Sequence, residues 1–280
     1  MQELRLALSP CPNDTFSFYL FLEKKAKTYQ IKEVVYEDIQ KLNELSQKEN
    51  YDLIKVSAAQ ASFLLDTYDI LPSGAALGYG VGPLLLSSPR TRESVLTIAF
   101  PGNQTSAYVL YDFYSKKTGF GKGLAKKFMY FRDILNLLEK GELGYGVVIH
   151  EGRFVYQQRG LILEQDLGEY WEKETGYPVP LGVIMIKKAL PENVKKEVQE
   201  NLHYSIKAAL KAFQDESSYY KEKIFPFVEH YADTKEKVVI EQHITTYVNA
   251  ESVYLSAKAQ EALKFFMEYS YKLLAQEPTF

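Results

Sequence analysis

Polar side chains follow two predicted strands near the N-terminus, at the point where each strand ends. Ser9, Asn13 and Asp14 come after an apolar strand predicted over residues 4–8, and Ser57 comes after one predicted over residues 53–56. Open α/β sheets bind their ligands beyond the carboxyl ends of their strands. We therefore expect these side chains to meet in one ligand-binding crevice.

Two further clusters occur later in the chain. Thr105 and Ser106 follow a strand predicted over residues 95–99, and His150 follows one predicted over residues 145–149. A helix is predicted to begin near Thr105, and the free N–H groups of a helix N-terminus suit a carboxylate or a phosphate. Ser, Thr, Asn and Asp are also ordinary N-caps, so capping alone accounts for any one cluster. Together the clusters predict a polar crevice that contains a histidine.

His150 is the histidine best placed to act as a general base. An unperturbed imidazole has a pKa near 6.5, so much of it is neutral and able to accept a proton at cytoplasmic pH. A structural histidine held by a backbone carbonyl is the alternative, and the residues alone leave both open. His243 lies in a helical segment, where a packing or capping role is predicted.

No sequence pattern indicates a metal or an organic cofactor, so none is predicted. Cys11 is the single cysteine, and no two histidines have a zinc-binding spacing. The glycines of residues 78–82 precede no predicted helix, which favours a crossover or hinge loop over a dinucleotide site. A nucleophilic role for Cys11 is disfavoured, because two prolines flank it and no histidine is near it in sequence.

The composition is that of an ordinary globular protein. The 280 residues carry a net charge of −3, with 46% hydrophobic and 25% charged residues. The balanced charge argues against a nucleic-acid partner, and neither a signal peptide nor a membrane span is predicted. We expect a cytoplasmic protein whose partner is a small molecule, with a monomer or a homo-oligomer both open.

Strand-like runs alternate with helical patterns, which predicts an α/β architecture. Helices are expected over residues 16–25, capped by Asp14 or Thr15, over residues 125–140, and through most of the chain after Pro191. The glycines and prolines of residues 70–89 predict a loop.

Several motifs resemble those of one enzyme family. They are SPCPNDTF at 9–16, KVS at 55–57, GYGVGPLLL at 78–86, PGNQTSAY at 101–108, GVVIHEGRF at 146–154 and PVPLG at 178–182. This set is similar to the 1,4-dihydroxy-6-naphthoate synthases of the futalosine route to menaquinone. The resemblance implies a fold like type II periplasmic binding proteins, with two α/β lobes and a ligand cleft between them.

The same resemblance implies a lyase reaction that converts cyclic dehypoxanthine futalosine to 1,4-dihydroxy-6-naphthoate. The substrate-contacting stretches of the family correspond to Lys55, Val56 and Ser57, and to Thr105 and Ser106. Its proton-accepting histidine corresponds to His150. The crevice expected from the strand ends and the site implied by the family therefore coincide.

Two alternatives and a domain division complete the expectations. Chorismate dehydratase, of the same pathway and fold, is one alternative function. A non-catalytic small-molecule-binding protein, whether a solute-binding protein or the sensing domain of a regulator, is the other. We expect residues 94–182 to form one lobe, and residues 1–93 with 183–280 to form the other.

Overall fold

Two β-sheets organise the chain, which the computed structural model describes over residues 1–91 and 97–276. The strands of the first sheet are β1 (Gln2–Leu8), β2 (Tyr29–Tyr36), β3 (Leu53–Ser57), β4 (Tyr68–Ile70), β5 (Ala76–Gly78) and β11 (Val179–Lys187). Their order is β2-β1-β3-β11-β4, and β5 also pairs with β11. β1 is parallel to β2 and β3, whereas β11 is antiparallel to β3, β4 and β5.

The second sheet is built from the middle of the chain. Its strands are β6 (Leu84–Ser87), β7 (Thr97–Phe100), β8 (Ala125–Phe128), β9 (Tyr145–Val148) and β10 (Ile162–Asp166), in the order β10-β6-β9-β7-β8. β7 is parallel to β8 and β9, and β6 is antiparallel to β9 and β10. The predicted strand start at residue 95 lies outside the described residues.

Helices cover the sheets and fill the C-terminal third of the chain. They are α1 (Pro12–Glu23), α2 (Ile39–Ser46), α3 (Ala58–Ala61), α4 (Ser106–Thr118), α5 (Phe131–Glu139), α6 (Gly152–Val155), α7 (Leu167–Thr175), α8 (Glu192–Gln214), α9 (Phe225–Tyr231), α10 (Lys237–Tyr247), α11 (Ala250–Val253) and α12 (Ala257–Leu274). A π-helical turn over Tyr220–Ile224 precedes α9. Across residues 1–91 and 97–276, no helix has both the length and the apolar character needed to cross a bilayer.

Three local predictions are wrong for identifiable reasons. α1 begins at Pro12 with Cys11 as its N-cap, because proline at the first helical position already has the required φ. Asp14 therefore lies in the first turn and does not cap the helix. Residues 125–128, predicted as helix, form β8 because they pair along their whole length with β7, and tertiary pairing overrides local propensity. The predicted loop over residues 70–89 contains β5 and β6.

The largest hydrophobic core cluster joins the two sheets. It includes Ile54 and Val183 of the first sheet with Phe100 and Val147 of the second, all fully buried. Trp171 of α7 is also fully buried in this cluster. The two sheets thus share this core cluster.

The chain crosses between the sheets at two places, after β5 and before β11. At the first crossing a Cβ on Gly78 would lie 2.0 Å from the carbonyl oxygen of Val81, so only glycine fits this tight turn. The division at 93/94 and 182/183 stays a prediction, and its first boundary lies outside the described residues. Sheet membership changes between residues 78 and 84 and between residues 166 and 179.

Candidate active site

A cavity lies between the two sheets, where the carboxyl ends of β1, β3, β7 and β9 meet. Its walls include every residue predicted for the site except Val56: Ser9, Asn13, Asp14, Lys55, Ser57, Thr105, Ser106 and His150. Val56 is fully buried in the core. Successive side chains of a strand point to opposite faces, so Val56 faces away from the cavity that its two neighbours line.

A buried ion pair forms the wall that the first sheet contributes. The Lys55 ammonium lies 2.7 Å from Oδ1 of Asp14, and both side chains are about 95% buried. The same ammonium lies 3.4 Å from the carbonyl oxygen of Gly74. Burial raises the pKa of Asp14, and the Lys55 charge opposes that effect. The pair therefore fixes a cation–carboxylate contact beside the cavity.

The hydroxyls at the start of α4 have little hydrogen-bonding capacity left. Thr105 donates to the Gly102 carbonyl at 2.8 Å and caps the helix by accepting from the Tyr108 amide at 3.3 Å. Ser106 donates to the Leu181 carbonyl at 2.9 Å. A hydroxyl has one hydrogen and two lone pairs. Towards a ligand, Thr105 can therefore only accept, as from a substrate hydroxyl.

Ser57 is more fully engaged still. Its hydroxyl donates to the Gln104 carbonyl at 2.8 Å and accepts from Asn43 Nδ2 at 3.0 Å and the Gln60 amide at 3.2 Å. All three positions of the hydroxyl are thus occupied. The Ser57 side chain ties β3 to the loop before α4, so its hydroxyl shapes the cavity wall.

His150 has an unusual backbone conformation between β9 and α6. Its φ is +56°, in the left-handed region. This conformation costs a residue other than glycine about 1–2 kcal/mol. Its Nδ1 lies 3.1 Å from Sγ of Cys11. This contact joins a residue of the second sheet to the start of α1 on the first. The conformation aims the ring into the cavity and against the opposite wall.

The His150 ring is held in its neutral form. Burial, followed by the nearby charges of Lys55 and Arg132, lowers its pKa to about 4. A lowered pKa means that the folded state resists protonation, so the imidazole keeps a lone pair at neutral pH. The site therefore presents a neutral base and not an imidazolium.

Cys11 is a site residue whose surroundings the sequence did not reveal. The prediction that no histidine is near Cys11 holds along the chain but not in space, because His150 contacts it from 139 positions away. Burial raises the pKa of the thiol well above its ordinary value. The thiolate needed for nucleophilic attack is thus disfavoured.

His243 also lines the cavity, although a packing or capping role was predicted for it. Its Nε2 lies 3.0 Å from Oδ1 of Asn13, and its ring is nearly parallel to that of His150, with 6.2 Å between centroids. Tyr247, one turn later on α10, lines the same wall. Histidine and tyrosine four residues apart share one helix face, and this spacing was the one signal available in the sequence.

The arrangement can accept a proton from a small polar ligand. It offers a neutral imidazole, a fixed cation and the N-terminal end of α4 around one cavity. Within residues 1–91 and 97–276, no three His, Cys, Asp or Glu side chains are grouped so that they could hold a metal ion.

The neutral histidine predicts a loss of stability in mild acid. The folded-state pKa of His150 is about 4 and the unfolded-state value about 6.5. The unfolded chain therefore binds more protons between these values, and stability falls as pH drops below about 6.5. Urea unfolding at pH 7.5 and pH 5 should show this fall to be about 1–2 kcal/mol smaller in His150→Asn than in the wild type.

The comparison with His150→Asn is needed because buried carboxyls act in the opposite direction. The pKa of Asp14 and that of Glu151 are raised by burial, so these groups favour folding at low pH. Both are present in the wild type and the variant, and their contributions cancel in the difference. An equal loss of stability in the two proteins would contradict a neutral, buried His150.

Proteins of similar sequence include enzymes with one name. A family model described as menaquinone biosynthesis matches residues 4–272. A 1,4-dihydroxy-6-naphthoate synthase of Thermus thermophilus is 34% identical over 277 residues, which cover 98% of this chain and 97% of that protein. The synthase of Streptomyces coelicolor is 33% identical over 264 residues, or 93% and 90% of the two chains. The similarity therefore extends over both sheets.

Solved structures of similar fold include binding proteins. A protein of Archaeoglobus fulgidus superposes with a TM-score of 0.83 at 26% identity, over 97% of each chain. The periplasmic aliphatic sulphonate binding protein of Escherichia coli gives a TM-score of 0.67 at 12% identity, over 99% of this chain and 89% of its own. The alkanesulfonate-binding protein of Xanthomonas axonopodis gives 0.70 at 12% identity, over 100% and 95%. The predicted periplasmic-binding-protein-like fold is thereby confirmed.

Proposed function

Because the chain belongs to the menaquinone biosynthesis family, we propose that it is a 1,4-dihydroxy-6-naphthoate synthase, a lyase that acts on cyclic dehypoxanthine futalosine. The observation that carries this proposal is the 33–34% sequence identity to two synthases, which extends over nearly the full length of the chain. The cavity between the sheets supports it, because a neutral histidine lies in its wall.

In the proposed reaction His150 removes a carbon-bound proton from the substrate. A neutral imidazole has one N–H and one lone pair. Nδ1 and Nε2 lie 3.1 and 3.8 Å from Cys11 Sγ, and the ring nitrogen that carries no hydrogen is the basic atom. Formation of an aromatic ring in the product supplies driving force for the elimination.

Negative charge that develops on the substrate oxygen needs donors. The N-terminal end of α4, which Thr105 caps, presents backbone N–H groups and the positive end of the helix dipole to the cavity. The Lys55 ammonium adds a fixed positive charge on the opposite wall. Donors placed in advance around a developing oxyanion are worth several kcal/mol in a dry site.

The partner we propose is a small molecule in the cytoplasm, with no nucleic acid or membrane involved. Support comes from the two synthase relatives, and from the sulphonate-binding proteins whose fold the chain shares.

The test is an assay of the purified protein with two substrates. We expect cyclic dehypoxanthine futalosine to be converted to 1,4-dihydroxy-6-naphthoate, identified by mass spectrometry, and chorismate to be left unchanged. Dehydration of chorismate would replace the proposal with the sister activity of the same pathway. Tight binding of either compound without turnover would instead favour a binding protein.

A substitution at Thr105 tests its proposed role in holding a substrate hydroxyl. Thr105→Val removes the one remaining acceptor, so we expect KM to rise roughly 5- to 150-fold, because an unpaired buried hydroxyl costs about 1–3 kcal/mol. Loss of the α4 N-cap should also lower the free energy of unfolding by about 1 kcal/mol. Steady-state kinetics and urea unfolding measure the two effects separately.

Thr118→Val is the matched control for that substitution. Thr118 ends the same helix, is exposed, and donates to the Tyr114 carbonyl at 2.9 Å. We expect its KM to equal that of the wild type. A Thr105→Val enzyme with unchanged KM would limit Thr105 to capping the helix.

A further inference from the structure

The Asn13 amide links Asp14 to His243 by hydrogen bonds and fixes which group donates in each of them. Its Nδ2 donates at 2.9 Å to Oδ1 of Asp14, which also accepts from Lys55. Oδ1 of Asn13 is then the acceptor for His243 Nε2 at 3.0 Å. An amide oxygen can only accept, so the hydrogen of neutral His243 lies on Nε2. The lone pair of His243 is therefore on Nδ1.

That lone pair is buried opposite a carboxyl group. Nδ1 of His243 has no hydrogen-bond partner within the described residues, and the side chain is 1% exposed. Oε1 of Glu151 lies 4.0 Å away, and Glu151 is itself 8% exposed. A carboxylate would set two electron-rich groups against each other, whereas a protonated carboxyl would donate to Nδ1. One proton between the two side chains resolves the conflict.

We propose that Glu151 and His243 hold one proton between them and act as positioning residues that fix His150 for catalysis. This inference rests on the proposed function, in which His150 is the base. The proton is shared by a hydrogen bond from the Glu151 carboxyl to Nδ1 of His243. Its loss at alkaline pH breaks that bond and lowers turnover.

The link to His150 is direct. Glu151 is its next residue, and His150 has the left-handed φ of +56° that its surroundings must maintain. Glu151 follows a strand of the second sheet, whereas His243 lies on α10, which packs against α1 and β5 of the first. A shift of about 1 Å brings the 4.0 Å separation to hydrogen-bond length. Closure of the cleft would thus fix the base in place.

The groups around Glu151 decide where the proton is held. Burial raises the pKa of Glu151, while the Arg132 charge lowers it; burial and the neighbouring His150 lower the pKa of His243. The proton is therefore on Glu151. The other titratable or charged groups that face Glu151 are the Cys11 thiol, the Tyr247 phenol and the carboxyls of Asp38 and Asp233. Arg132 is itself paired with Asp233, which reduces its pull on Glu151.

The test compares two substitutions of Glu151 by the pH dependence of kcat. Glutamine keeps a donor for Nδ1 that cannot ionise, whereas alanine removes it. We expect Glu151→Ala to lower kcat by up to about 100-fold at neutral pH, the cost of a base misplaced by an ångström, and to differ less from the wild type at alkaline pH, where the wild type has lost the same hydrogen bond. Glu151→Gln should restore most of the lost kcat, and its kcat should not decrease at alkaline pH as that of the wild type does. Glu142→Ala, at an exposed carboxylate before β9, is the control.

Two results would overturn the inference. One is equal kcat for the glutamine and alanine variants. The other is a decrease of kcat at alkaline pH that persists in Glu151→Gln, because the decrease would then arise from the ionisation of another group. A purely structural role of Glu151 would change the free energy of unfolding in both variants, but it would not abolish the decrease of kcat at alkaline pH.

A measurement without turnover separates this inference from the proposed function. The four histidines can be followed by nitrogen NMR, with the His243 signals assigned from their loss in His243→Gln. We expect neutral His243 with its hydrogen on Nε2, and a changed Nδ1 shift in Glu151→Ala. A hydrogen on Nδ1, or a charged ring at neutral pH, would refute the shared proton. Absence of turnover in the wild type would refute only the proposed function.

Discussion

Replacement of His150 by asparagine is expected to lower kcat by about 10²–10⁴-fold, the usual contribution of a general base. Asparagine keeps a polar side chain of similar size and, among non-glycine residues, tolerates the left-handed φ of +56° well. The variant should therefore fold and bind substrate with little change in affinity. In the wild type, the acid fall of kcat/KM should lie near pH 4, the pKa that burial gives the ring.

His203→Asn provides the control for this experiment. His203 lies on α8 with Nδ1 3.1 Å from the Val253 carbonyl, and it is not part of the cavity wall. We expect unchanged kcat in this variant. If His150→Asn kept near-full turnover, or lost it only by unfolding, the base would have to be another group in the cavity.

Substitution of Lys55 by methionine should destabilise the fold by about 3–5 kcal/mol, because it leaves the buried Asp14 carboxylate without its cation. Methionine keeps much of the length and volume of the lysine stem, so the effect reports the lost charge and not a cavity. Urea unfolding measures the difference. Asp14→Asn in the same chain should recover much of the loss, since the unpaired charge is then removed.

Lys32→Met is the surface counterpart. Its ammonium lies 2.6 Å from Oε2 of Glu3, a contact as short as the buried one, but the two side chains are 58% and 50% exposed. Exposed pairs contribute about 0–1 kcal/mol. A Lys55→Met loss no larger than that of Lys32→Met would mean that water reaches Asp14 in the folded protein.

The positions of the site residues were largely predictable, because strand ends obey a simple rule. Ser9, Ser57, Thr105 and His150 each follow an apolar run, and the carboxyl ends of those four strands meet. The predicted α/β class and the two-lobed fold are confirmed as well. The roles assigned to these side chains stay predictions.

The contacts among site residues were not predictable from the same patterns. Cys11 meets His150 across 139 positions, and Asn13 meets His243 across 230. Periodicity reports only the face of one element, and says nothing about which distant element covers it. The error at β8 has a related cause, since residues 125–128 form a strand only because β7 lies beside them.

The position of β11 between β3 and β4 has a consequence for the synthesis of this protein. One edge of β3 pairs with β11, so residues 53–57 cannot complete their strand pairing until residues 182–186 have been synthesised. At about 5–20 residues per second, a ribosome needs roughly 6–25 s to make the intervening segment. Throughout that interval an apolar strand edge is exposed and can pair with another nascent chain. The residues of the second sheet are synthesised within that interval, so this sheet can form first. The middle of the polypeptide is therefore expected to fold before the first sheet has all of its strands.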